Sequence, residues 1–86
     1  MINVRFLGHI KTTMGSEQVE LPQSGLSVGE LIEILRTMAK RDERAGFSKF
    51  NTLVVVNDGE VLPASQEGRL LNDGDDVLLV PISHGG

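Results

Sequence analysis

One stretch of this chain repeats with a helical period, and nearly everything around it alternates like strand. Val28, Leu31, Ile32, Leu35 and Ala39 recur at i, i+3, i+4, i+7 and i+11, one face of a 3.6-residue repeat, while Glu30, Glu33, Arg36 and Lys40 fall mostly on the other face. Ser27 and Glu30 stand three apart, the spacing at which a hydroxyl and a carboxylate satisfy each other's free N–H groups at a helix start. A helix is therefore predicted to begin at Val28 and to fray between Asp42 and Gly46. Its polar face carries both charge signs, which marks a core helix and not one lying on a membrane. One long helix covers only one face of a sheet, so the rest of the chain implies a sheet packed on that helix and open on its far side.

The strands are read from period-2 alternation and turn residues. Ile2, Val4 and Phe6 alternate with Asn3, Arg5 and Leu7, and Gln18-Val19-Glu20-Leu21 alternates again before Pro22. Residues 2–21 read as a hairpin with a long connection through Met14-Gly15-Ser16. Leu53-Val54-Val55-Val56, the turn Asn57-Asp58-Gly59 and Glu60-Val61-Leu62 form a second hairpin. Ala64 to Arg69 is irregular, Asn72-Asp73-Gly74-Asp75-Asp76 is a turn, and Val77 to Ile82 is the last strand. The order ββαβββ defines an α+β domain. In the Val54–Val56 and Val77–Ile82 runs both alternating sets are apolar. With Val55, Val77 and Leu79 turned to the helix, Val54, Val56, Leu78 and Val80 would form an apolar patch on the open face, of the kind that marks partner surfaces. A loop or a second copy of the chain is the alternative cover.

Composition excludes several classes of function. Eighty-six residues fit one domain with no room for a second. With no cysteine, the chain has no thiol nucleophile, thiolate metal site or disulfide of its own. A net charge of −4 and only three aromatics, all Phe, argue against direct nucleic-acid binding. The basic cluster Lys40-Arg41 with Arg44 is interrupted by Asp42 and Glu43 and reads as a solvated helix end that complements the macrodipole. No apolar run approaches the ~20 residues of a membrane span, and strand alternation starts at once where a signal peptide would lie, so a cytoplasmic location is expected. His9 and His84 have no companions at ligand spacing. Asp73, Asp75 and Asp76 lack the glycine and the terminal glutamate at the spacing a calcium-binding EF-hand loop needs. Neither a nucleophile elbow nor a phosphate-binding glycine loop is present.

What remains is the ending. Gly85-Gly86 closes the four-residue tail, 83–86, that follows the last strand. Two residues without side chains form a flexible stalk able to thread a narrow channel, and the α-carboxylate is ionised at neutral pH. It can attack the α-phosphate of ATP if an enzyme holds both groups. Such a terminus is a substrate and not a catalyst. A frayed end with no role is the plain alternative.

Met1-Ile2-Asn3-Val4-Arg5-Phe6-Leu7, the helix entry Ser27-Val28-Gly29-Glu30-Leu31, the turn Val56-Asn57-Asp58-Gly59, and the ending from Leu71-Asn72-Asp73-Gly74-Asp75-Asp76-Val77 through Pro81 to Gly85-Gly86 resemble the MoaD/ThiS family of ubiquitin-like sulfur carriers. The most specific parts are the Asp-Gly-Asp-Asp-Val element and the Pro-x-x-x-Gly-Gly ending. The resemblance implies a ubiquitin-like β-grasp fold over residues 1–82, a mixed four- to five-stranded sheet on one main helix, with the first and last strands parallel in its centre. It also implies that an E1-like enzyme uses ATP to adenylate the Gly86 carboxylate and that a sulfur donor converts it to a thiocarboxylate, with no cofactor bound to the carrier itself. Gly85 would then give passage, while Val54, Val56, Leu78, Val80 and His84 would meet partners. Ile82 stands where molybdopterin synthase small subunits commonly carry a second proline, and His84-Gly85-Gly86 looks more like the ending of ubiquitin-related modifiers and some archaeal small modifiers. Sulfur transfer to tRNA through a thiolating enzyme, conjugation to target lysines, and donation to a pterin within a molybdopterin synthase large subunit are the fates so implied. A non-covalent β-grasp binding module is the reading from another class.

Overall fold

The computed structural model describes residues 1–39 and 47–82. Among them, β1 (Ile2–Phe6), α1 (Gly8–Met14), β2 (Gln18–Leu21), α2 (Val28–Met38), β3 (Thr52–Val56), β4 (Glu60–Pro63) and β5 (Asp76–Pro81) follow in chain order. The strands form one five-stranded sheet in the order β2-β1-β5-β3-β4. β1 and β5 pair in parallel at its centre, from Asn3↔Asp76 to Phe6↔Leu79, and the other pairings are antiparallel.

α2 starts as its sequence dictates. The Ser27 hydroxyl accepts from the Glu30 N–H at 3.1 Å, and Oε1 of Glu30 accepts from the Ser27 N–H at 2.9 Å. Val28, Leu31, Ile32 and Leu35 are buried against the sheet. Ile2, Val4, Phe6, Val54, Val56, Leu62, Val77 and Leu79 meet them from the strands. Each such side chain contributes roughly 1.5–3 kcal/mol on leaving water. The predicted ragged helix end and the basic cluster at 40–44 lie outside the described residues.

Two expectations are revised. β1 and β2 do pair as a hairpin, Ile2↔Leu21 to Arg5↔Gln18, but their connection contains α1, which buries Ile10, Thr13 and Met14 and ends at Gly15 with φ 75°. The order is therefore βαβαβββ. The second revision concerns which face of the sheet each valine serves. Val54 and Val56 are 0 % and 3 % exposed, so they belong to the core and not to the open face. The β3–β5 register explains it: Val54 lies opposite Leu79 and Val56 opposite Val77, and directly paired residues point to the same face.

Candidate functional site

Since the inward set of β3 is Val54 and Val56, the outward set is Leu53 and Val55. Opposite them on β5 stand Val80 and Leu78, as Leu53↔Val80 and Val55↔Leu78. Leu78 and Val80 thus lie on the open face as the sequence predicted, all four outward residues are half-buried, and Leu53 and Val55 take the places given to Val54 and Val56. β4 widens the patch, with Val61 opposite Val55 and Pro63 opposite Leu53; Val61 is 60 % exposed. Leu7, still extended at φ −119° and ψ 158°, continues the alternation of β1 and adds a 43 % exposed side chain at the far end. On the other half of the face Gln18, Glu20, Asn3 and Arg5 are polar. Nη2 of Arg5 lies 3.5 Å from Oδ1 of Asp58, closing one border of the patch.

The Asp-Gly-Asp-Asp turn fixes where β5 begins. Oδ2 of Asp75 accepts from the Asn72 N–H at 2.8 Å, and its Oδ1 accepts from the Asn57 side-chain amide at 3.1 Å. These bonds hold the Asp75 carboxyl below the usual carboxylate range, the Asn72 backbone N–H being the larger cause and the Asn57 amide the next. Asn57 also accepts from the Asp76 N–H at 2.9 Å and donates its own N–H to the Asp76 carbonyl at 2.7 Å. Asn57 and Asp58 reach this position with φ of 52° and 61°, a region that Asn and Asp tolerate better than most residues. The turn that resembles a calcium loop in composition is therefore a clasp joining β5 to the β3–β4 hairpin.

At the opposite end of β5 the chain is held on both sides. The Leu7 N–H donates to the Leu79 carbonyl at 3.1 Å, and the Ile82 N–H donates to the Asn51 carbonyl at 2.8 Å. Ile82 is the last described residue before the tail. His84, Gly85 and Gly86 lie outside the described residues. The central strand thus runs from the Asp75 clasp along the apolar patch and delivers the chain to the foot of the tail.

A mixed sheet wrapped on one main helix, with parallel first and last strands at its centre and the last strand leading to the C-terminus, is the ubiquitin-like β-grasp fold. The ThiS family profile matches residues 4–86, and the chain belongs to that family of ubiquitin-like sulfur carriers. Among solved structures, the small archaeal modifier protein 1 of Methanosarcina acetivorans is similar with a TM-score of 0.68 at 20 % identity, over 99 % of this chain and 95 % of that one. A putative molybdopterin converting factor subunit 1 from Pyrococcus furiosus is similar with a TM-score of 0.69 at 22 % identity, over 95 % and 97 % of the two chains. The BexX/CysO complex of Amycolatopsis orientalis contains a chain similar with a TM-score of 0.69 at 21 % identity, over the full length of both. A search of curated proteins finds no match.

Proposed function

We propose that this protein is a ubiquitin-like sulfur carrier and protein modifier whose reacting group is the Gly86 carboxylate. The observation that carries this reading is the extent of the family match, which runs through β5 and includes Gly85 and Gly86. An oxygen of the Gly86 carboxylate attacks the α-phosphorus of ATP on an E1-like enzyme, giving an acyl-adenylate and releasing pyrophosphate. A sulfur nucleophile then attacks the acyl carbon and expels AMP, a far better leaving group than oxide. With sulfide the product is the thiocarboxylate; with a persulfide it is an acyl disulfide that a second thiol reduces. The chain has no cysteine, so every thiol in this sequence of steps belongs to a partner. A lysine amine attacking the same activated carbon gives an isopeptide bond, the modifier fate.

The open-face patch of Leu53, Val55, Leu78 and Val80 docks the activating enzyme while His84 and Gly85 accompany the terminus into its ATP site. Removing Gly86 tests the reading. The truncated protein is expected to fold as before, because a terminal residue adds little stability, and to give no carrier-dependent exchange of pyrophosphate into ATP with the E1-like enzyme of the same cell. Exchange undiminished by the truncation would contradict the proposal. Co-purification of a molybdopterin synthase large subunit would instead assign the sulfur to a pterin.

A further inference from the structure

The foot of the tail is built more tightly than an inert terminus needs. Gly8, the first residue of α1, has φ +58°, and a Cβ placed there would lie 2.9 Å from Cγ of Pro81 and 3.6 Å from its Cδ. The pyrrolidine ring therefore seats directly on the backbone of the β1–α1 junction, at a distance only glycine permits. Across β5 the Pro81 position pairs with Thr52, which is fully buried. The Ile82 N–H is bonded to Asn51. Asn51 is itself fixed: its side-chain oxygen accepts from the Ser48 N–H at 2.7 Å and from the Thr52 hydroxyl at 3.1 Å, and its N–H donates to the Ser48 carbonyl at 3.2 Å. Two elements far apart in sequence thus clamp Pro81 and Ile82.

We infer that Gly8 and Asn51 are positioning residues, which aim the tail from a fixed root so that the Gly86 carboxylate reaches the ATP held by the activating enzyme. This inference rests on the carrier reading above. Its physical basis is reach. Four residues follow Ile82, and four extended residues span at most about 14 Å. A tilt of about 15° at the root would move the end of such a span by nearly 4 Å, and misplacing a reacting atom by 1 Å can cost roughly 10²-fold in rate. A tail threaded straight into a channel has little slack with which to recover that displacement. Docking through the apolar patch is untouched by such a tilt, so the defect belongs in kcat and not in KM.

The test is a set of three variants: Gly8→Ala, Pro81→Ala, and both together. Gly8→Ala brings its new methyl against the Pro81 ring and puts a β-carbon on a residue at φ +58°; removing the ring relieves the contact and leaves the backbone strain. Adenylation by the E1-like enzyme of the same cell is followed by pyrophosphate exchange, with thermal unfolding as the check on folding and Ile82 amide hydrogen exchange as a partner-free readout of the clamp. Gly8→Ala is expected to lower kcat about tenfold or more with KM within about twofold and to speed Ile82 exchange, and the double variant is expected to regain the part of the loss that comes from the contact with the ring. A Gly8→Ala protein that keeps wild-type kcat, or a double variant that stays as slow as Gly8→Ala while both remain folded, would overturn the positioning role and leave the carrier reading standing. A wild-type protein that is never adenylated would overturn the carrier reading, and the role with it.

Discussion

Leu78 and Leu79 are adjacent and chemically identical, yet they serve opposite faces of the sheet. Leu79 is fully buried beneath α2, so Leu79→Ala is expected to cost about 2–5 kcal/mol in urea unfolding. Leu78→Ala is expected to cost no more than about 1 kcal/mol while raising the KM of the activating enzyme for the carrier several-fold. Equal stability losses at the two positions would contradict the assignment of faces. The apolar character of both faces and the assignment of β5, with Leu78 and Val80 outward, were legible in the sequence, but the assignment of Val54, Val55 and Val56 on β3 was not. Alternation shows which residues travel together along one strand, whereas only the β3–β5 register, a long-range property, shows that Val54 joins Leu79. Asp75 makes its own test. Its carboxyl titrates lower in the folded chain than in the unfolded one, so its contribution is fully present above the ordinary carboxylate range and is lost as the pH falls through the depressed value. Asp75→Asn is expected to flatten the acid limb of stability against pH, and an unchanged limb would show that other carboxylates govern it.

At the scale of elements, the two helices differ in how plainly they are written. α2 announces itself through the capping box at Ser27 and three turns of apolar period. α1 has seven residues, with glycine at its first position and at its C-cap, and threonines that favour strand as readily as helix. Its weak trace is Ile10, Thr13 and Met14 at i, i+3 and i+4, followed by Gly15; burial of those three side chains decides the conformation. Gly29 makes a prediction that runs against propensity. Alanine ordinarily gains about 1 kcal/mol over glycine inside a helix, but here a Cβ would lie 2.9 Å from Cβ of Glu67 and 3.3 Å from its Cγ. The Gly29 N–H also donates to the Glu67 carbonyl at 3.0 Å, and the Val28 N–H to the Arg69 carbonyl at 2.8 Å, so the first turn of α2 cannot move away freely. Gly29→Ala is expected to lower stability by about 1–3 kcal/mol, read from the urea midpoint; a rise would show that the 65–69 loop yields.

On the scale of the whole molecule, the scaffold is clasped at Asp75 and clamped at Pro81 and Ile82, with the apolar open face running along β5 between the two. The ending Gly85-Gly86 lies outside the described residues; the Asp-Gly-Asp-Asp element was legible as a turn, although its bonds to Asn57 were not. Those bonds span eighteen and nineteen positions of sequence, beyond the reach of any local pattern. The central chemical claim is that this terminus is charged by another protein. Its most direct measurement is the intact mass of the chain after incubation with ATP, sulfide and its E1-like enzyme, with the enzyme shown to be active on a known carrier. A gain of about 16 Da, one oxygen exchanged for sulfur at the C-terminus, is expected. An unchanged mass under those conditions would contradict it.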